Sequence, residues 1–295
     1  MRMLRIVVIA FFIVIAPSWL RAQDNAFPLP QVPSALKTPE SRANYLAVHY
    51  WDNYDFASNE LIGNKDVSEQ GFSNFISIMP YVSQREEAFS VLVSRMATNL
   101  RMLDYFMALA EKYLYEPLSP VYDEDLYLMM LEAVVANKSV PVSVKQEYDF
   151  DLMMAKKNRL GTKAADFTYL RRDGTKGRLW NIKGSDYILL FLGDPECDVC
   201  VKAKEKLASS AVIKDWVNTK KLAIISVCVE GKTQAWTKVS APQGWIDACD
   251  EKLAIYDNAL YEIKGLPVLY LLDGNHRVIM KNVQPEQIIR RLSSK

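Results

Sequence analysis

From Thr38 to about Lys157 the apolar residues return every three or four positions, the period of a helix with one buried face. Thr38-Pro39-Glu40 supplies a cap, a proline at the first helical position and an acid in the first turn. Ser83-Gln84-Arg85-Glu86 fits a capping box and precedes Phe89, Leu92, Val93, Met96 and Leu100 along one face. Leu103, Phe106, Met107, Ala110 and Leu114 repeat the stripe until Pro117 and Pro120 interrupt it. Asp123-Glu124-Asp125 opens a helix through Leu126, Met129, Met130 and Val134, and another runs from Ser143 through Met154 to near Lys157. The pattern predicts about five or six helices, an all-α domain over residues 38–157. Before it, residues 24–37 carry Pro28, Pro30 and Pro33 without a period, an extended lead-in.

After Asn158 the period changes. Phe167–Leu170 and Gly177–Trp180 read as short strands around the turn Asp173-Gly174. Tyr187–Leu192, Leu222–Val229 and Val268–Leu272 are continuous apolar runs, the mark of strands buried on both faces. Trp245–Cys249 and Arg277–Met280 read as further strands. Helices are expected from about Val199 to Ala208, around Trp236, and from Pro285 onward. Strands alternating with helices in a mostly parallel order predict an α/β domain over residues 158–295.

The first 23 residues stand apart from both domains. Arg2 and Arg5 precede the unbroken apolar run Ile6–Ala16, Pro17 ends it, and Ala22-Gln23 offers a cleavage point. That is the layout of a signal peptide, with a run of ~11 residues against the ~20 of a membrane span. No cysteine follows to carry a lipid anchor, so the expectation is an exported, periplasmic chain. Its 36 basic and 35 acidic residues are dispersed, leaving no patch to attract nucleic acid.

Export gives the four cysteines weight, because disulfides persist in oxidising compartments. Cys197-Asp198-Val199-Cys200 lies at a strand-to-helix junction. This spacing puts both sulfurs on one face of the first helical turn. The leading sulfur meets the positive end of the helix dipole, so Cys197 is the candidate nucleophile and Cys200 the residue that resolves a mixed disulfide. Zinc would need a second ligand pair. Cys228 and Cys249 are far apart in sequence, and the only histidines are His49 and His276, so no metal and no other cofactor is expected.

With Asp166-Phe167, the Asp173-Gly174 turn, the apolar strand before Cys197 and Gly265-Leu266-Pro267 before a buried strand, residues 160–295 resemble the bacterial envelope thioredoxin-like reductases of the TlpA/ResA type. The resemblance implies a thioredoxin-like fold and thiol–disulfide exchange with exported cysteine-containing proteins, re-supplied by a membrane or periplasmic electron donor. It also implies a cis peptide bond at Pro267 and substrate pairing by the backbone of Leu266. Residues 38–157 look like the helical domain of unknown function that precedes such a domain in some of these proteins.

The chain departs from that family at several positions. Glu196 replaces the usual tryptophan, and Asp198-Val199 replaces Pro-Pro or Gly-Pro. With Asp194 nearby, Glu196 and Asp198 place negative charge around the reactive sulfur, opposing the helix dipole and favouring a reducing couple. Thioredoxins bury an acid six residues before the first cysteine, where this chain has Phe191; Glu205 is a possible substitute, more simply read as a solvated helix residue. The peroxiredoxin pattern P-x-x-x-T-x-x-C fails, with Leu190 and Asp194 at the Pro and Thr positions. Cys228 and Cys249 are expected as two core thiols or as a bridge between neighbouring parallel strands. His49 is expected to pack within its helix, His276 to be solvated after a turn, and Met129-Met130 and Met153-Met154 to fill cores. The rival reading is an envelope binding protein whose thioredoxin-like domain is a scaffold with a static disulfide.

Overall fold

The computed structural model describes residues 27–295, so the expected signal peptide lies outside the described residues. Among these residues no helix is long and apolar enough to cross a membrane.

Six helices make up the N-terminal region: α1 (Pro39–His49), α2 (Gln70–Ile78), α3 (Arg85–Met96), α4 (Leu100–Ala110), α5 (Glu124–Ala136) and α6 (Val142–Ala155). Thr38 caps α1, its hydroxyl accepting from Ser41 N at 3.1 Å. Asp123 caps α5 by accepting from the amides of Asp125 and Leu126. The capping box expected before α3 does not form. Asn44 of α1 takes its place, its Oδ1 accepting from Ser83 N at 2.9 Å and Gln84 N at 3.3 Å. A side chain from another helix thus holds the two amides that lead into α3, which ties α1 to its start.

The helical core centres on Trp51, whose ring lies 5.2 Å from Phe106, 5.7 Å from Phe75 and 5.4 Å from Phe27. Phe27 is buried, so the lead-in is pinned to the core at its start. Of the paired methionines, Met130 and Met154 are buried whereas Met153 is exposed.

The C-terminal region is built on one seven-stranded sheet of order β2-β1-β5-β4-β3-β6-β7. Its strands are β1 (Thr168–Arg171), β2 (Lys176–Arg178), β3 (Tyr187–Gly193), β4 (Leu222–Cys228), β5 (Ile246–Cys249), β6 (Val268–Asp273) and β7 (Val278–Met280). The expected mostly parallel order is corrected here. β3, β4 and β5 are parallel, but β6 runs antiparallel to β3, and β1 antiparallel to β5. A buried apolar run has the same composition in either direction, so the sequence did not specify it.

Alternate residues of each strand face different cores. Leu189, Phe191, Ile224, Leu269 and Leu271 pack beneath α7 (Asp198–Ser209), α8 (Ala211–Asn218) and α11 (Pro285–Ser293). Ile188, Leu190, Val227 and Tyr270 pack on the opposite face against Phe167, Ile255 and Tyr261. Two short helices, α9 (Gln234–Lys238) and α10 (Ala254–Asp257), lie in the connections. Turn residue His276 is buried rather than solvated, its Nε2 3.0 Å from the carbonyl oxygen of Ile182.

The two regions meet through buried polar chemistry. The Lys281 ammonium pairs with Glu124 of α5, and both side chains are almost fully enclosed. Lys281 also donates to Tyr115 Oη at 3.2 Å, and Tyr115 donates to Glu262 Oε2 at 2.9 Å. At the junction itself, Asn158 Nδ2 donates to Leu260 O and its Oδ1 accepts from Ala165 N.

Candidate functional site

Strand β3 ends at Gly193, and the loop Asp194–Glu196 delivers Cys197 to the N-terminus of α7. Cys197 is the N-cap residue of this helix, with its sulfur accepting from Cys200 N at 3.2 Å. The sulfur thus takes the place that a Ser or Asp oxygen usually fills and satisfies an orphan amide. The sulfur stands at the positive end of the helix dipole. Cys197 is partly exposed, Cys200 is buried, and both are free thiols.

Burial pushes the Cys200 thiol up to about 12, with the hydrogen bond to Cys197 a further cause. Its sulfur lies against Gly193, where a Cβ would stand 3.3 Å from it and 2.7 Å from the Phe191 ring. A side chain at position 193 would therefore displace the Phe191 ring and press on the sulfur.

The loop before β6 completes the site. Cys197 Sγ lies 3.8 Å from the carbonyl oxygen of Leu266, and the Leu266–Pro267 peptide bond is cis. The structure therefore brings together Cys197, Cys200, Leu266 and Pro267 from two segments 69 residues apart. Glu196 and Asp198 are exposed on either side of Cys197. Asp194 turns into its own loop, its Oδ1 accepting from Glu196 N at 3.1 Å.

Two features were missed in the sequence. Lys204, one turn beyond Cys200, is half-buried over Phe191, while the neighbouring Glu205 is exposed. Burial lowers the Lys204 ammonium below its usual range, offset by Asp247, Cys200, Cys228 and Asp194 in electrostatic reach. The helical region also reaches the edge of the site at Pro267. A cleft of about 180 Å³ is lined by Pro267 and Val268 together with Glu111, Tyr115 and Glu116 of the helical region. Lysine in an amphipathic helix reads as solvent-facing, and nothing local couples residues 111–116 to residue 267. Among the described residues no group of three His, Cys, Asp or Glu side chains is placed to hold a metal.

No curated protein matches the chain. Residues 14–158 match the family model described as a domain of unknown function, DUF5106. A thioredoxin-like protein from Bacteroides caccae ATCC 43185, known from its crystal structure, is 33% identical over 91% of this chain and 98% of its own, with a TM-score of 0.71. The C-terminal domain of an uncharacterized protein from Bacteroides fragilis NCTC 9343 is 34% identical over 46% of this chain and 98% of that one, with a TM-score of 0.44. With one residue in three shared along almost the whole of the B. caccae protein, this chain belongs to the thioredoxin-like proteins, and its N-terminal half is a DUF5106 domain.

Proposed function

We propose that the protein is a thiol–disulfide oxidoreductase of the bacterial envelope, acting on exported cysteine-containing proteins as a reductant or isomerase. The observation that carries this reading is Cys197 Sγ at the N-cap of α7, partly exposed and 3.8 Å from the Leu266 carbonyl. Cys197 as thiolate attacks a client disulfide, forming a mixed disulfide and releasing one client thiolate. Cys200 then gives up its proton and attacks Cys197, releasing the second client thiol and closing the Cys197–Cys200 bridge. An extended client strand laid along Leu266 pairs with its backbone, and exposed Val199 provides apolar surface beside the reacting sulfur. Glu196 and Asp198 favour the disulfide form over a charged dithiol, which makes the couple reducing. An electron donor in the membrane or periplasm returns the bridge to the dithiol.

The test is trapping. Cys200→Ala should accumulate mixed disulfides through Cys197, and Cys197→Ala should not. Equal trapping by both variants, or by neither, would reject this assignment.

A further inference from the structure

The sheet holds a second pair of cysteines in register with the first. Residues directly opposite each other on neighbouring parallel strands point to the same face, and the register here runs Gly193↔Cys228 and Cys228↔Cys249. Gly193 carries no side chain, and the Cys200 sulfur occupies the space above it. Three sulfurs therefore follow one another across β3, β4 and β5: Cys200 over Gly193, then Cys228, then Cys249. Neighbouring strands lie about 4.8 Å apart, inside the ~7 Å limit on Cα separation for a disulfide.

All three sulfurs are enclosed: Cys200 is 1% exposed, Cys228 3% and Cys249 0%. Cys228 and Cys249 share a small buried cluster with Leu170 and Trp236. Cys249 presents no surface to a soluble thiol. Cys200 packs in the neighbouring core beneath α7, over the glycine that stands opposite Cys228, and Cys197 is its hydrogen-bond partner. Lys204 stands within electrostatic reach of both Cys200 and Cys228, the two sulfurs that would trade places as anions.

We propose that Cys228 and Cys249 form a second dithiol–disulfide pair, which exchanges electrons with the Cys197–Cys200 couple through Cys200. This rests on the reading of Cys197 and Cys200 as a redox couple. Starting from an oxidised Cys197–Cys200 bridge, Cys228 loses its proton and attacks Cys200. The Cys200–Cys228 bond forms, and Cys197 leaves as a thiolate that takes up a proton. Cys249 loses its proton and attacks Cys228, and Cys200 leaves and is protonated. Two electrons pass from the inner dithiol, oxidised to a disulfide, to the outer disulfide, reduced to a dithiol. Burial raises Cys249 to about 11 and also raises Cys228, so exchange is slow and the inner pair acts as a reserve. Such a chain stores two pairs of reducing equivalents instead of one.

The test uses the full chain, reduced and then placed in glutathione buffers of graded poise, with acid quenching, mass-tagged alkylation and peptide mapping. Both pairs should oxidise in the wild type, and Cys200→Ala should slow oxidation of the inner pair by about tenfold or more, because the relay sulfur is gone. Cys197→Ala/Cys249→Ala keeps one thiol of each pair and should yield a Cys200–Cys228 cross-link. If Cys197 and Cys200 cycle while Cys228 and Cys249 stay reduced, the inner couple does not exist and the proposed function stands. An inner pair that oxidises as fast in Cys200→Ala, or a missing cross-link in the double variant, overturns the relay. If neither pair responds, the reading of Cys197–Cys200 itself fails.

Discussion

The Lys204 ammonium lies 5.2 Å from the centre of the Phe191 ring. Phe191 stands where thioredoxins bury a carboxylic acid, so the group beneath the reactive pair is a cation over an aromatic face instead of an acid. In the proposed reaction a cation near Cys200 stabilises the thiolate that would resolve the mixed disulfide, where a buried acid would accept its proton. Lys204→Met keeps the stem over the ring and removes the charge. Resolution by Cys200 should slow by about three- to tenfold, and its pH profile should move to higher pH. Single-turnover decay of a mixed disulfide reads both, and Lys204→Arg should restore the rate. A Met variant with unchanged rate and pH profile would leave Lys204 a packing residue.

Thiols held neutral by burial make stability depend on redox state and pH together. In the unfolded chain cysteine ionises near 8.5, whereas in the folded, reduced protein Cys249 is raised to about 11 and Cys200 to about 12. Their contribution is complete below about pH 8.5 and is lost as pH rises towards 11–12, because the unfolded state releases protons that the folded state keeps. Urea unfolding between pH 7 and 10.5 should show the reduced protein losing stability faster than the oxidised one. Parallel curves would mean that these thiols are hydrated in the folded state.

The Glu124–Lys281 pair joins the helical region to the residue after β7 with both partners buried. Lys281→Met leaves the enclosed Glu124 carboxylate with only Arg159 Nε, at 3.6 Å, and should cost about 2–3 kcal/mol. Lys281→Met/Glu124→Leu removes both charges and should recover most of that loss. Denaturant titration of the three proteins decides the point; a double variant no more stable than the single one would show that the pair is not the dominant polar contact between the regions.

Gly193 is a glycine because of what lies above it. Gly193→Ala places a methyl group 2.7 Å from the Phe191 ring and 3.3 Å from the Cys200 sulfur. Destabilisation of about 1–3 kcal/mol is expected from overpacking, together with faster alkylation of Cys200 in the native reduced protein. An Ala variant with wild-type stability and Cys200 protection would mean that Phe191 moves aside freely.

Much of this arrangement was written in local pattern. Tyr187–Leu192 and Val268–Leu272 announced central strands because residues buried on both faces leave no polar alternation. Thr38 and Asp123 announced helix starts because a cap acts on its own neighbours. The helix α8 was missed because Ser210 ends α7 and caps α8 with no intervening loop. His276, Lys204 and Lys281 were hidden for a different reason. Polar residues read as solvated, and only tertiary packing puts Ile182 O, Phe191 and Glu124 against them. The cysteine spacing and Leu266-Pro267 pointed to the site, but the cleft that Tyr115 lines beside Pro267 involves a domain whose pattern speaks only of its own core.

Exposed Glu196 and Asp198 flank Cys197 where solvent screens them. Glu196→Gln/Asp198→Asn should make the couple more oxidising by on the order of 10–30 mV, consistent with screened charges. Glutathione equilibration of the double variant beside the wild type reads this shift. No difference would mean that the helix N-terminus alone sets the potential.

In the proposed function Cys197 and Cys200 interconvert between dithiol and disulfide as a reducing couple. Equilibrating the full chain with reduced and oxidised glutathione, and following Cys197 and Cys200 by peptide-resolved alkylation, measures the potential directly. Reversible, two-electron behaviour is expected below about −150 mV, away from the strongly oxidising end of the range. A potential above that value would contradict the reducing role, and a pair that never interconverts would make the thioredoxin-like domain a scaffold.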